Sequence, residues 1–209
     1  MRGFGGVVLF AIIVLLLFFR QAIDLYTDWL WFHEVGYREL FTKILLTKSI
    51  LGLCAGIFLG LLLYVNLKIA AVAPRGYRFS RQENVIELPP VELLDPLFRR
   101  MLIPAAVMIG LMAAPQGLAK WESFLLFFNP TAYNLADPQF GLDVSFYIFR
   151  LPALSGLYHW AIFSVGLSLI ATAGVYLLYR GIEYGPRGVF FSERGKRHLL
   201  ILLAIFLVF

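Results

Sequence analysis

The sequence predicts an all-α protein, a polytopic transmembrane helical bundle with interfacial helices in its outer loops. Three observations point to this. The chain is 60% hydrophobic and only 15% charged, whereas a soluble domain is roughly 45–50% apolar with about 25% charge. The apolar residues gather in nearly uncharged runs, Gly3–Phe19, Leu45–Leu67, Met101–Ala119 and Leu157–Leu178. Each run is about 17–23 residues long, enough for a helix to cross a hydrocarbon core ~30 Å thick. Lysine and arginine concentrate in alternate connections, as the positive-inside rule requires of a chain threaded back and forth.

These runs place helices at about residues 3–27, 43–72, 101–119 and 154–179, with a fifth begun at 198–209. Leu199–Phe209 would rise only ~17 Å as a helix, too short to cross. It is read as a helix cut off within a longer protein, the alternative being a short re-entrant terminus. Arg2 ahead of an apolar run imitates a signal peptide, but Phe18, Phe19 and Arg20 end the run without small residues for cleavage.

The connections fix the expected orientation. Loop 28–42 and its borders carry Arg20, Arg38 and Lys43 against Asp24, Asp28, Glu34 and Glu39. Loop 73–100 carries Arg75, Arg78, Arg81, Arg99 and Arg100, with Lys68 before it. Loop 120–153 carries only Lys120 and Arg150. Loop 180–197 carries Arg180, Arg187, Arg194, Lys196 and Arg197. Loops 73–100 and 180–197 are therefore expected in the cytoplasm with the amino terminus, and loops 28–42 and 120–153 outside. The net charge of +5 is explained by this topology and by anionic headgroups, so no nucleic-acid partner is expected. The expected partners are the lipid bilayer and other membrane helices, from further along the same protein or from other subunits.

The second helix carries Gly52, Gly56 and Gly60, one per turn. Bare glycine lets another helix approach closely, so these three are expected to form a packing face. The third helix has Pro104 in its first turns and Pro115 near its exit, where a missing donor is tolerated. In the fourth, Ser164, Ser168 and Thr172 repeat every four residues. Such a weakly polar stripe more often glues helices than lines a path.

Both outer loops are unusually aromatic. Trp29, Phe32, Gly36, Tyr37 and Leu40 recur at helical spacing, which predicts a short helix lying in the headgroup layer with Asp28 capping its start. Trp121–Asn129 is too short to cross and too apolar to float, so it too is expected at the interface. Asn129-Pro130, Asp137-Pro138 and Phe140-Gly141 then give three turn signals in succession, and Pro152 leads into the fourth helix. The two loops are expected to pack together as an exterior cap.

These residues resemble a known family. Trp29-Leu-Trp31-Phe32-x-Glu34-Val-Gly36-Tyr37, with Phe41 and the Leu-Leu-Thr-Lys48 entry to the second helix, is similar to the N-terminal signature of UPF0182. Asp137-Pro138-Gln-Phe140-Gly141-x-Asp143-Val-Ser-Phe146-Tyr147-Ile-Phe149, with Leu151-Pro152, resembles the second signature of that family. His33 stands where many members have glycine. The resemblance spans essentially the whole chain. It implies a bacterial cytoplasmic-membrane protein with about seven N-terminal helices followed by a large extracytoplasmic region. It supplies no activity, substrate or catalytic residue.

No catalytic motif is visible, and no cofactor is expected. Cys54 is the single cysteine and reads as a small hydrophobe in an apolar run. His33, His159 and His198 each lack a second ligand at i+3 or i+4. His159 beside Trp160 suits a tetrapyrrole ligand at the membrane edge, but the plainer reading is an interfacial histidine bonded to water or backbone. The outer carboxylates Asp24, Asp28, Glu34, Glu39, Glu122, Asp137 and Asp143 are of the type that binds a divalent cation. The competing reading makes Asp137 an Asx turn and Asp143 a helix cap. Two functions are carried forward: a membrane scaffold or accessory subunit bearing a large extracytoplasmic region, and part of a transporter or channel for lipid or hydrophobic solute.

Overall fold

In the computed structural model, residues 19–72, 95–179, 181–185 and 188–209 are described. Most of the first expected helix, the expected inner loop over 73–94, Arg180, and residues 186 and 187 lie outside them. Contacts divide the chain into two compact units, Met1–Thr47 and Lys48–Phe209.

Helix α1, residues 19–34, continues well past the end of the first apolar run. Asp28 is therefore inside a helix and does not cap one. The charged and aromatic residues from Arg20 to Glu34 change what the helix faces, but none is a proline or glycine that would stop it. The stop comes at Gly36, with φ +79°. Its N–H bonds the carbonyl of His33 at 3.3 Å, and the N–H of Tyr37 reaches back to Phe32 at 2.8 Å. This pair of bonds is a Schellman motif with glycine in the left-handed position that ends many helices.

Helix α2 starts directly afterwards and runs over Arg38–Val72, five residues earlier than expected. Helix α3 covers Asp95–Leu118. Pro96 sits in its first turn, where a missing N–H costs nothing, so α3 begins ahead of the apolar run and Pro104 falls in its interior. Helix α4, Trp121–Phe128, is the short aromatic segment. A π-helical turn at Phe146–Arg150 leads into α5, Leu151–Leu178, which has Pro152 in its first turn. Strands β1, Ile182–Gly185, and β2, Gly188–Phe191, pair antiparallel with Ile182 opposite Phe191. This hairpin, followed by a helical turn, stands where a plain loop was expected. Helix α6 spans Glu193–Val208. Its polar first turn is held by Ser192, whose hydroxyl accepts the N–H of Gly195 at 3.2 Å, an N-cap.

Among the described residues the fold is all-α apart from that hairpin and one isolated bridge between Ala136 and Asp143. Among the described residues three helices are long and apolar enough to span a membrane: Arg38–Val72, Pro96–Leu118 and Phe146–Leu178. In the second unit, Leu59 and Leu63 of α2 and Ala113 of α3 form one buried cluster, with Leu167 and Ala171 of α5 against it. A second cluster joins Ala70 and Ala71 to Val175, Tyr176 and Tyr179, flanked by Phe98 and Leu199. Large apolar side chains such as Leu53, Ile57 and Leu111 remain exposed, the pattern of a bundle whose solvent is lipid.

Candidate functional site

The glycines of α2 meet α3 of the same chain. A Cβ on Gly56 would lie 2.7 Å from the carbonyl oxygen of Gly110, and a Cβ on Gly110 would lie 2.7 Å from that of Gly56. A Cβ on Gly60 would stand 3.1 Å from the carbonyl oxygen of Ala106, and one on Gly52 3.1 Å from the Leu118 side chain. Gly117 presses on the carbonyl of Leu51 in the same way. Backbone therefore touches backbone along three turns. With no hydrophobic force acting between helices in lipid, such close packing is a main source of helix association.

Further along its length α2 joins a polar clasp. Asn66 is buried; its Nδ2 donates to the carbonyl of Leu62 at 2.7 Å, which leaves Oδ1 as the acceptor. His198 Nε2 lies 2.8 Å from that Oδ1, so Nε2 carries the proton. In the neutral imidazole Nδ1 then accepts, and the Tyr176 hydroxyl donates to it at 3.0 Å. One histidine of α6 thereby ties α2 to α5. Tyr176 is 1% exposed. A Cβ on Gly181 would come 2.7 Å from the Tyr176 ring, and one on Gly195 3.3 Å from it. The small residues on either side of Ser192 thus seat the ring.

Tyr176 also ends the polar stripe of α5. Ser164, Ser168 and Thr172 are fully buried. Ser164 donates to the carbonyl of Trp160 at 2.8 Å, whereas Ser168 Oγ, Thr172 Oγ1 and Trp160 Nε1 have no hydrogen-bond partner among the described residues. Nearer the stripe's far end, the Phe206 ring of α6 lies on Gly166, 3.0 Å from where a Cβ would stand.

The signature residues build two structures, one in each unit. In the first, Trp29, Trp31, Phe32 and Glu34 lie on the last turns of α1, and Gly36 and Tyr37 form its terminus. Tyr26, Trp29 and His33 make an outward aromatic ladder, with ring centroids 5.9 and 5.5 Å apart. Phe32 reaches across the turn to Phe41 at 5.5 Å.

In the second unit two aspartates organise the loop before α5. Asp137 Oδ2 accepts the N–H of Phe140 at 2.8 Å and the hydroxyl of Tyr147 at 3.1 Å. Asp143 Oδ1 accepts the N–H of Ser145 at 2.7 Å and that of Tyr133 at 3.3 Å. Ala136 and Asp143 pair as a single antiparallel bridge, and Gly141 turns the chain between them with φ +66°. Pro138 lies within that turn, Phe146 opens the π-helical turn with its ring edge-on to Tyr147, and Pro152 begins α5. Hydrogen bonds from the Ser145 hydroxyl and then its N–H hold the Asp143 carboxyl down at about 2. A folded-state value below the ordinary 3.8 means that its stabilising contribution is complete above pH ~4 and is lost as pH falls through about 2. A carbon-13 NMR titration of the aspartate side chains should show this midpoint near 2, with Asp143→Asn opening the loop already at neutral pH. A midpoint near 3.8 would contradict the capping geometry.

His159 is exposed, and its Nδ1 donates to the carbonyl of Ser155, 2.7 Å away on the same helix. Among the described residues no three His, Cys, Asp or Glu side chains come together as metal ligands. The clasp and the Gly36 stop were not anticipated. The clasp's partners lie 132 residues apart in sequence, beyond any local signal, whereas Val-Gly-Tyr after a helical pattern was a readable terminator.

Three membrane-length apolar helices, joined by a backbone-close seam and a polar clasp, define a helical integral membrane protein. The chain belongs to the uncharacterised protein family UPF0182, whose model matches residues 5–209. It is 35% identical to a UPF0182 protein of Geobacter sulfurreducens, over 94% of this chain and 22% of that one. It is 33% identical to one from Rhodococcus erythropolis, over 97% of this chain and 21% of the relative. A Salinispora arenicola relative is 31% identical over 96% and 20%. The chain thus spans about a fifth of the length of these relatives. No solved structure matches it.

Proposed function

We propose that this chain is the membrane-embedded part of a bacterial scaffold that anchors a large extracytoplasmic region, with its amino terminus in the cytoplasm. In this reading, loops 28–42 and 120–153 face outward and loops 73–100 and 180–197 face the cytosol. The observation that carries it is the second signature loop. Two aspartates brace a turn that presents Phe140 and Leu135, 67% and 63% exposed. A loop this well ordered with so apolar a tip suits a docking platform for polypeptide. The length of the relatives supports the same reading, because most of such a protein lies outside the region compared.

The second reading, part of a transporter or channel for lipid or hydrophobic solute, draws on Ser168 and Thr172. Buried hydroxyls without partners are costly in a membrane interior, and a solute path is one use that would offset the cost.

One experiment separates the two. Phe140 is replaced by a benzophenone amino acid in the full-length protein and irradiated in cells. Adducts with a polypeptide on the extracytoplasmic side are expected. Adducts with lipid alone would favour the transport reading, and adducts with cytosolic protein would overturn the orientation.

A further inference from the structure

We infer that the open groove between α2 and α3 is a binding site for one glycerophospholipid, with its phosphate at Lys68 and an acyl chain laid along the glycine seam. This goes beyond the scaffold reading and rests only on the bundle lying in a bilayer.

The groove has a volume of about 460 Å³. Its floor is the seam itself, Gly56, Gly60 and Gly110. Its walls are two parallel rows, Leu53, Ile57 and Leu61 on α2 and Ile103, Val107 and Leu111 on α3, all more than half exposed. Each row steps by four residues, so it runs as a ridge along its helix. A trough with aliphatic walls and a backbone floor fits a flexible hydrocarbon chain. In water it would be an aggregation hazard; in a membrane it must be filled by something apolar.

The bilayer register follows from two lysines of α2. Lys48 Nζ lies 5.2 Å from the centre of the Trp121 ring, and Lys68 Nζ lies 5.4 Å from that of Tyr64. Twenty residues separate the lysines in sequence, ~30 Å along a helix, which equals the thickness of the hydrocarbon core. Lysine stems that lie on interfacial aromatics are the usual anchors at its two faces. Lys68 therefore stands at headgroup level, and Tyr64, the last groove residue before it, marks the entrance.

From Lys68 to Gly56 is ~18 Å, close to the depth of a single leaflet, about half of ~30 Å. A lipid with its phosphate on Lys68 would thus run its chain past Tyr64 and Gly60 and end near Gly56. A transmembrane helix would need the full ~30 Å, whereas the trough, from Gly52 to Tyr64, stays open for ~18 Å. The cation at one end and the aliphatic trough that leads away from it both suit a phospholipid monomer.

The test uses the full-length protein purified in detergent, with Cys54→Ser removing the exposed thiol of this region and any cysteine elsewhere replaced likewise. Val107→Cys places a thiol in the groove wall, and its maleimide labelling rate reports occupancy in the folded protein. Added phosphatidylglycerol is expected to slow labelling at least threefold. Diacylglycerol, which lacks the phosphate, is expected to need severalfold more for the same protection, and Lys68→Gln should erase that difference. A cysteine at Ile201, exposed on α6, should be indifferent to both lipids. Equal protection by both lipids in the Lys68 protein would overturn the headgroup assignment. No protection by either, or protection that instead follows protein concentration as a second copy would cause, would overturn the lipid site.

Discussion

Gly56→Leu is expected to lower the melting temperature of the purified protein sharply. The carbonyl of Gly110 stands 2.7 Å from where the new Cβ would be, and that atom belongs to a helix backbone that has no rotamer to change. Overpacking an apolar core costs typically 1–3 kcal/mol, largely because side chains can shift. Here the helices themselves must part, which also releases the contacts of Gly52 and Gly60. A loss of about 3 kcal/mol, or on the order of 10 °C, is expected. Gly174→Leu is the control, because nothing lies within 4 Å of a Cβ built there. If the two variants melt together, the seam does not hold the bundle.

Tyr176→Ala is the second large effect. Its ring is almost wholly buried in the cluster of Ala70, Ala71, Val175 and Tyr179, and deleting a buried aromatic side chain costs about 3–5 kcal/mol. Tyr176→Phe keeps the ring and removes only the hydroxyl that donates to His198, so it should cost about 1–3 kcal/mol. The difference between these variants separates packing from hydrogen bonding, and packing is expected to dominate. Asn66→Leu strips the other nitrogen of the same imidazole. Because both partners act through His198, the double variant should fall short of the sum of the single ones by about 0.5 kcal/mol or more. Strict additivity in a thermal-denaturation cycle would show that the three side chains do not work as one clasp.

How much of this could be read from the residues depended on range. Three long apolar runs announced spanning helices because lipid demands length and hydrophobicity in the same segment. Gly52, Gly56 and Gly60 announced a close helix contact because one helix face was bare. Their partner was missed although a matching ladder was present, since Ala106, Gly110 and Ala114 of α3 repeat every four residues. Helix ends were misjudged where composition was taken for conformation. The polar turns at Arg20–Glu34, Arg38–Thr42 and Glu193–Arg197 are helical, because charge alters what a helix touches without breaking it. Asp137 and Asp143 could be read locally, since each binds amides within a few residues of itself. His198 could not, since nothing near it in sequence points to Asn66.

The meeting of Gly56 with Gly110 also constrains how this protein can change over generations. When a large residue intrudes on an ordinary contact, a second mutation opposite it can make room by shrinking. Neither glycine has a side chain left to give up. Lineages that lose one of them therefore have no compensating partner change at that crossing, and a genetic suppressor would have to displace an entire helix.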